Sequence, residues 1–208
     1  MPRIALLLLL AALACAGQST PPDPGTYDPS LDRYVEFLSQ GHAEPTDYML
    51  GLFEDHDLVI VCERFHGETT QWDLLFELVS DERFSSDVGH VFTEVGVASL
   101  QPRLDELMAA PGLSEDELKR RLLDIYRDLS FFPSWDKVNF FDFLVRVYRR
   151  NQTLEPDRKI AVHFSDMPFQ WNGMTAERYA DFQETLGERD KVMARQVIDG
   201  FRNLEASD

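Results

Sequence analysis

Three short apolar segments, set between helical patterns and each running into ionisable residues, constrain this chain most. They are residues 57–62, 90–94 and 159–163. The first contains the unbroken run Leu58-Val59-Ile60-Val61, the kind of sequence that fills a strand covered on both faces. Between and after these segments the apolar residues recur with helical spacing. Trp72, Leu75, Phe76 and Val79 share one face; Leu118, Leu122, Ile125 and Leu129 form a second stripe. Val138, Phe141, Val145 and Tyr148 form a third, and Met193, Val197, Phe201 and Leu204 a last one. Ser114 followed three residues later by Glu117 is a capping box, and Thr175 caps a helix reaching about Leu186. Another helix begins just after Gly67, near Thr69, and residues 30–38 and 46–53 read as helices ahead of the first strand. Strands alternating with helices predict an α/β domain, a mainly parallel sheet flanked by helices, with right-handed crossovers.

With 208 residues, 44% of them hydrophobic, the chain suits one globular core. Residues 31–208 are therefore expected to form a single α/β domain. The alternation calls for a further strand after Asp208, so this domain reads as the N-terminal part of a longer one. The 37 acidic residues against 20 basic ones give a formal net charge of -17. Such a surface repels phosphate backbones and anionic lipid heads, which argues against nucleic acid as a partner.

The chain opens with an export pattern in residues 1–17. Arg3 supplies a positive start, Ile4 to Leu13 an apolar stretch too short to span a bilayer, and Ala14-Cys15-Ala16-Gly17 a small-residue cleavage region. Cys15 sits where a lipoprotein cysteine would sit, with Ala12 three residues before it; lipid attachment and plain cleavage both remain open. Residues 18–30, rich in Pro, Gly, Ser and Thr, have the composition of a flexible tether. The expectation is an exported protein, periplasmic or a membrane-anchored lipoprotein, touching the membrane only through a lipid. With Cys15 in that segment Cys62 stands alone, so no disulfide framework is expected. Closing an apolar run, Cys62 reads first as a small buried hydrophobe and only secondarily as a reactive thiol.

In open α/β sheets ligands bind beyond the carboxyl ends of the strands. Here the first segment runs into Glu63-Arg64-Phe65-His66-Gly67, the second ends at Glu94 before Val95-Gly96, and the third ends at His163, followed by Ser165-Asp166. Parallel strands would bring these ends to one edge. His66 is the natural proton acceptor near neutrality. A helix N-terminus at Thr69 would disfavour its charged form, and a carboxylate would orient its second nitrogen. Gly67 permits a sharp turn. Plainer readings stand beside these. Glu63 suits a solvent-exposed strand end or a helix cap, His163 a satisfied core histidine, and Asp166 a turn before Met167-Pro168. Arg189 and Asp190 read as a surface pair in the first turn of the last helix. Trp135 reads as core, and His42, His56 and His90 receive no role.

Glu63-x-x-His66-Gly67, then a helix, then a strand ending in Glu94, resembles the erythromycin esterase-like superfamily, which also groups Tiki-like proteases and haem-uptake lipoproteins. The Asp81-Glu82-Arg83-Phe84 loop, the Ser165-Asp166-Met167-Pro168 loop and Arg189-Asp190-x-x-Met193-Ala194 extend the likeness to an uncharacterised bacterial branch, from about Leu58 to Phe201. Cys62 stands where the family usually has glycine, and the family continues to a further strand ending in histidine. The resemblance implies hydrolysis of a small-molecule substrate. His66 would activate water, Glu63 and Glu94 would support it, and Arg189 would steady an oxyanion; His163, Asp166 and Asp190 would line the site. It implies either no cofactor or a divalent metal, for which Glu63, His66 and Glu94 are acceptable ligands. A haem- or metal-binding envelope lipoprotein without turnover is the alternative, and an exported domain that kept the fold but lost catalysis is a third reading.

Overall fold

A computed structural model describes residues 28–63, 65–132 and 137–205. The export pattern with Cys15, nearly all of the tether, Arg64 and Trp135 lie outside the described residues. The chain divides into two compact units between Ala43 and Glu44. In the first, a 3-10 turn at Pro29–Leu31, capped by the Asp28 carboxylate, leads into helix α1 (Asp32–Ser39), where Tyr34, Phe37 and Leu38 are exposed.

The second unit begins with α2 (Pro45–Gly51), α3 (Thr69–Ser80) and α4 (Glu82–Asp87), followed by strand β1 (His90–Val97). Helices α5 (Gln101–Ala109), α6 (Glu115–Tyr126) and α7 (Val138–Asn151) come next, then β2 (Ala161–Asp166), α8 (Ala176–Glu184) and α9 (Arg189–Glu205). The local signals for helix starts hold. Ser114 Oγ accepts the Glu117 amide at 3.3 Å and Thr175 Oγ1 accepts the Arg178 amide at 3.2 Å. The Glu117 carboxylate turns to Arg120, so the Ser114 box shows its forward half.

The α/β character stands, but the sheet is smaller than expected. Among the described residues it has two parallel strands, paired from His90↔Ala161 to Thr93↔Phe164, with a shift of register before Val97↔Asp166. Residues 57–63 form no strand, and Ile60 within them is 78% exposed. An apolar run expresses a preference for a pleated, half-buried surface, but it becomes a strand only against a neighbour's edge. The third segment is displaced as well, starting at Ala161 instead of Lys159. The buried Asn151 side chain accounts for this, because its amide bonds both backbone groups of Ile160, each at 2.8 Å. The ladder therefore starts at Ala161, two residues later than expected.

Side chains alternate across a strand, so neighbouring positions on β2 face opposite layers. Phe164 meets Phe140 of α7 (centroids 6.3 Å), and α7 packs on α3 through Phe140 and Phe143 against Trp72 at 5.2 and 5.4 Å. On the other face His163 and Phe92 stack, and Phe201 of α9 covers Phe92. Helices thus cover both faces of the pair. The buried face of α7 is Phe140, Phe143, Leu144, Val147 and Tyr148, whereas Val138 of the expected stripe is exposed. This helix carries apolar residues on two overlapping stripes, and packing decides between them.

Two side-chain details fix the sheet. Gln101 donates its amide to Val162 O (2.9 Å) and accepts the Phe164 amide (2.7 Å), standing in for a neighbouring strand along the outer edge of β2. Gly96 has φ +110°, and a Cβ there would lie 2.3 Å from the Phe164 ring. Only glycine lets β1 turn there under that ring.

Candidate functional site

The expected site residues fall into separate groups. The first is built on the loop before α3. The Glu63 carboxylate accepts a hydrogen bond from His66 Nδ1. Gln71, in the first turn of α3, donates to the other Glu63 oxygen (3.1 Å) and to Phe65 O (2.8 Å). From the start of α7 the buried Asn139 donates to His66 O at 2.7 Å. A helix start below and a helix start beside it therefore hold this loop in shape. A carboxylate on Nδ1 favours the tautomer that donates from Nδ1, the one a general base acting through Nε2 requires. The His66 side chain is half exposed and that of Glu63 less so, which leaves the imidazole accessible to a solute. A cavity of about 390 Å³ lies between α3, α6 and α7, lined by Trp72, Asp73, Glu115, Lys119, Asp142 and Arg146 among others; neither Glu63 nor His66 lines it.

The second group joins residues far apart in sequence. Arg189 Nε and Nη2 grip Asp166 at 2.8 and 2.9 Å, and Nη2 also reaches Glu94 at 2.9 Å. Asp166 Oδ1 further accepts the amide of Met167 at 2.7 Å; this aspartate closes β2, and the turn expected before Met167-Pro168 does not form. The hydrogen bonds to Asp166, with Glu94 adding to them, hold the Arg189 guanidinium well above its already high ordinary value. Three of its five donors are engaged. Phe131 lies under the guanidinium at 5.8 Å. Arg189 thus points inward and belongs to no surface pair with Asp190, which is exposed in the first turn of α9. Glu94 lies within β1, three residues before its end, at the shift of register; the sequence reading had it closing the strand.

The expected trio of Glu63, His66 and Glu94 is therefore divided between two groups, each with its own hydrogen bonds. His163 belongs to neither. It faces His90 at 3.0 Å and stacks on Phe92, and burial pushes both imidazoles below their ordinary value. The core reading of His163 fits, and its partner is a histidine to which the sequence assigned nothing. Cys62 is an exposed thiol, which corrects the expectation of a small buried hydrophobe; the run it closes never enters the core. Sequence reasoning also missed Gln71 and Asn139. A polar residue one position before Phe140, at the start of an apolar helix face, was the available signal for Asn139.

Among the described residues, no group of three or more His, Cys, Asp or Glu side chains is arranged to hold a metal ion, and no helix is long and apolar enough to cross a membrane. Compared with family models, with curated proteins and with solved structures, the chain matches none.

Proposed function

We propose that this chain is an exported hydrolase of the erythromycin esterase-like kind, acting on a small-molecule substrate, with His66 as the general base. One observation supports this reading above the others: the Glu63 carboxylate is bonded to His66 Nδ1 on a loop fixed by Gln71 and Asn139. That is the base-plus-orienter arrangement of nucleophile- and water-activating sites. In the proposed reaction Nε2 of His66 takes a proton from water as the water attacks an ester carbonyl; the tetrahedral intermediate then collapses with cleavage of the acyl C–O bond, and the imidazolium returns the proton to the departing alkoxide, releasing acid and alcohol and restoring the base. Glu63 holds the ring and stabilises the imidazolium that forms. In the Glu94–Arg189–Asp166 group Asp166 neutralises the arginine and Glu94 lies at its exposed side. The finer fold proposed with this activity is an erythromycin esterase-like domain. Its membrane association would run through lipid on Cys15.

The experiment compares hydrolysis of a small ester panel by the full chain, His66→Ala and Glu63→Gln. The expected results are loss of activity to background in His66→Ala and a fall of about 10²–10⁴-fold in Glu63→Gln, the usual contribution of positioned acid–base groups. Equal rates for wild type and His66→Ala would end this reading. Haem or divalent-metal titration of the same proteins, followed by absorbance and metal content, tests the binding-protein alternative.

A further inference from the structure

The half-buried titratable groups that the proposed chemistry leaves unused include His90 and His163. Nδ1 of His90 lies 3.0 Å from Nε2 of His163, the ring centroids are 5.3 Å apart, and the ring planes are within 28° of each other. A centroid separation that exceeds the N···N distance by about one ring radius at each end means the imidazoles meet edge to edge through one N–H···N bond. One nitrogen donates and the other has to accept, so the shared edge holds a single proton.

Helix α9 rests on this pair. Phe92 stacks on His163 (4.4 Å, 18°) and Phe201 of α9 stacks on Phe92 (5.7 Å, 14°). Gly200 brings α9 in close, since a Cβ there would lie 2.6 Å from the Phe92 ring. The same helix begins with Arg189, which holds Glu94 and Asp166.

We propose that the His90–His163 pair is an acid-operated release for α9, in which proton uptake by the two imidazoles undocks the helix from the sheet and opens the Arg189 grip on Glu94 and Asp166. A doubly protonated pair has no acceptor on its shared edge and sets two cations side by side in a half-buried place. Burial already pushes both rings below the ordinary 6.5, and the charge of His90 lowers His163 further. The opposing charge is Asp105 of α5, which raises His163 and whose carboxylate accepts the Gln101 amide at 2.7 Å. From α9, Gly200 and Phe201 face the stack, and the neighbouring Asp199 and Arg202 pair with each other at 3.5 Å. On β1 the nearest acid, Glu94, is held by Arg189. The docked state binds these protons less readily than the released state. Docking is therefore favoured above the ordinary histidine value and weakens as pH falls through about 6.5 toward the lowered values.

This inference stands independently of the hydrolase reading, and its test reads structure rather than turnover. Amide hydrogen exchange is measured on the full chain from pH 7.5 to 5, with protection corrected for the intrinsic exchange rate and α6 as internal reference. The expected result is an α9 opening equilibrium that rises as the pH falls, by up to about tenfold per pH unit for one proton taken up and about a hundredfold for two. Helix α6 should stay level, and the α9 slope should flatten in His163→Phe and in His90→Leu. Wild-type α9 protection that does not change with pH, or an unchanged slope in both variants, overturns the proposal. If neither variant folds, NMR titration of the wild-type imidazoles decides. Linked titration accompanied by loss of the Phe92–Phe201 contact supports the release; two independent titrations with that contact intact overturn it.

Discussion

Removing the guanidinium by Arg189→Met separates the two arms of its cluster. The Asp166 side chain is 7% exposed and takes two hydrogen bonds from Arg189, whereas the Glu94 side chain is 49% exposed and takes one. An exposed ion pair contributes roughly 0–1 kcal/mol, because water and mobile side chains compete for both partners. Stripping the partner from a buried carboxylate costs roughly 3–5 kcal/mol, because the charge is left in a poor solvent. The Asp166 arm therefore dominates. Arg189→Met should cost about 3–5 kcal/mol and Glu94→Gln less than about 1 kcal/mol. At roughly 2–4 °C per kcal/mol for a domain of this size, the first loss lowers Tm by about 6–20 °C. The double variant Arg189→Met/Asp166→Asn should lose less than the sum of its single changes, because the second substitution removes the stranded charge. Urea denaturation read by tryptophan fluorescence and by circular dichroism measures wild type, Arg189→Met, Glu94→Gln, Asp166→Asn and the double variant. A cost below about 1 kcal/mol for Arg189→Met, or strict additivity in the double variant, would refute the assignment of the energy to the buried arm.

Two further substitutions probe β1 and the start of the second cluster. Gly96→Ala combines a strained positive φ, about 1–3 kcal/mol, with a clash against the Phe164 ring, another 1–3 kcal/mol; a denaturation midpoint equal to wild type would show that the strand does not turn there as described. Ser165→Ala removes a buried hydroxyl that has no hydrogen-bond partner among the described residues, so it should be neutral or stabilise by up to about 1 kcal/mol, and a clear loss of Tm would reveal a partner for that oxygen.

What was legible in the sequence was local. The starts of α6 and α8 were set by the Ser114 and Thr175 caps, because capping depends on residues within one turn of each other, whereas α3 starts at Thr69 after the glycine turn with no side-chain cap. Glu63 and His66 were read as partners at a spacing of three, and they bond. What depended on pairing across the chain was not legible. The meeting of His90 with His163 requires a register between residues 73 apart, and neither histidine's neighbours encode it. Residues 57–62 have the composition of a strand without the neighbour that would make them one. The inward turn of Arg189 was hidden because its partner Asp166 lies 23 residues earlier and its other partner, Glu94, lies 95 earlier. The sequence reading had therefore given Arg189 a surface partner in Asp190, the acid next to it in the chain.

The Gln101 amide has a consequence for how this protein meets other chains. By occupying the carbonyl of Val162 and the amide of Phe164, it closes one border of the sheet to any passing extended peptide. An intruding segment would have to break two good hydrogen bonds before making its first. Self-association by strand pairing is thereby denied along that flank, and Gln101→Leu would reopen it.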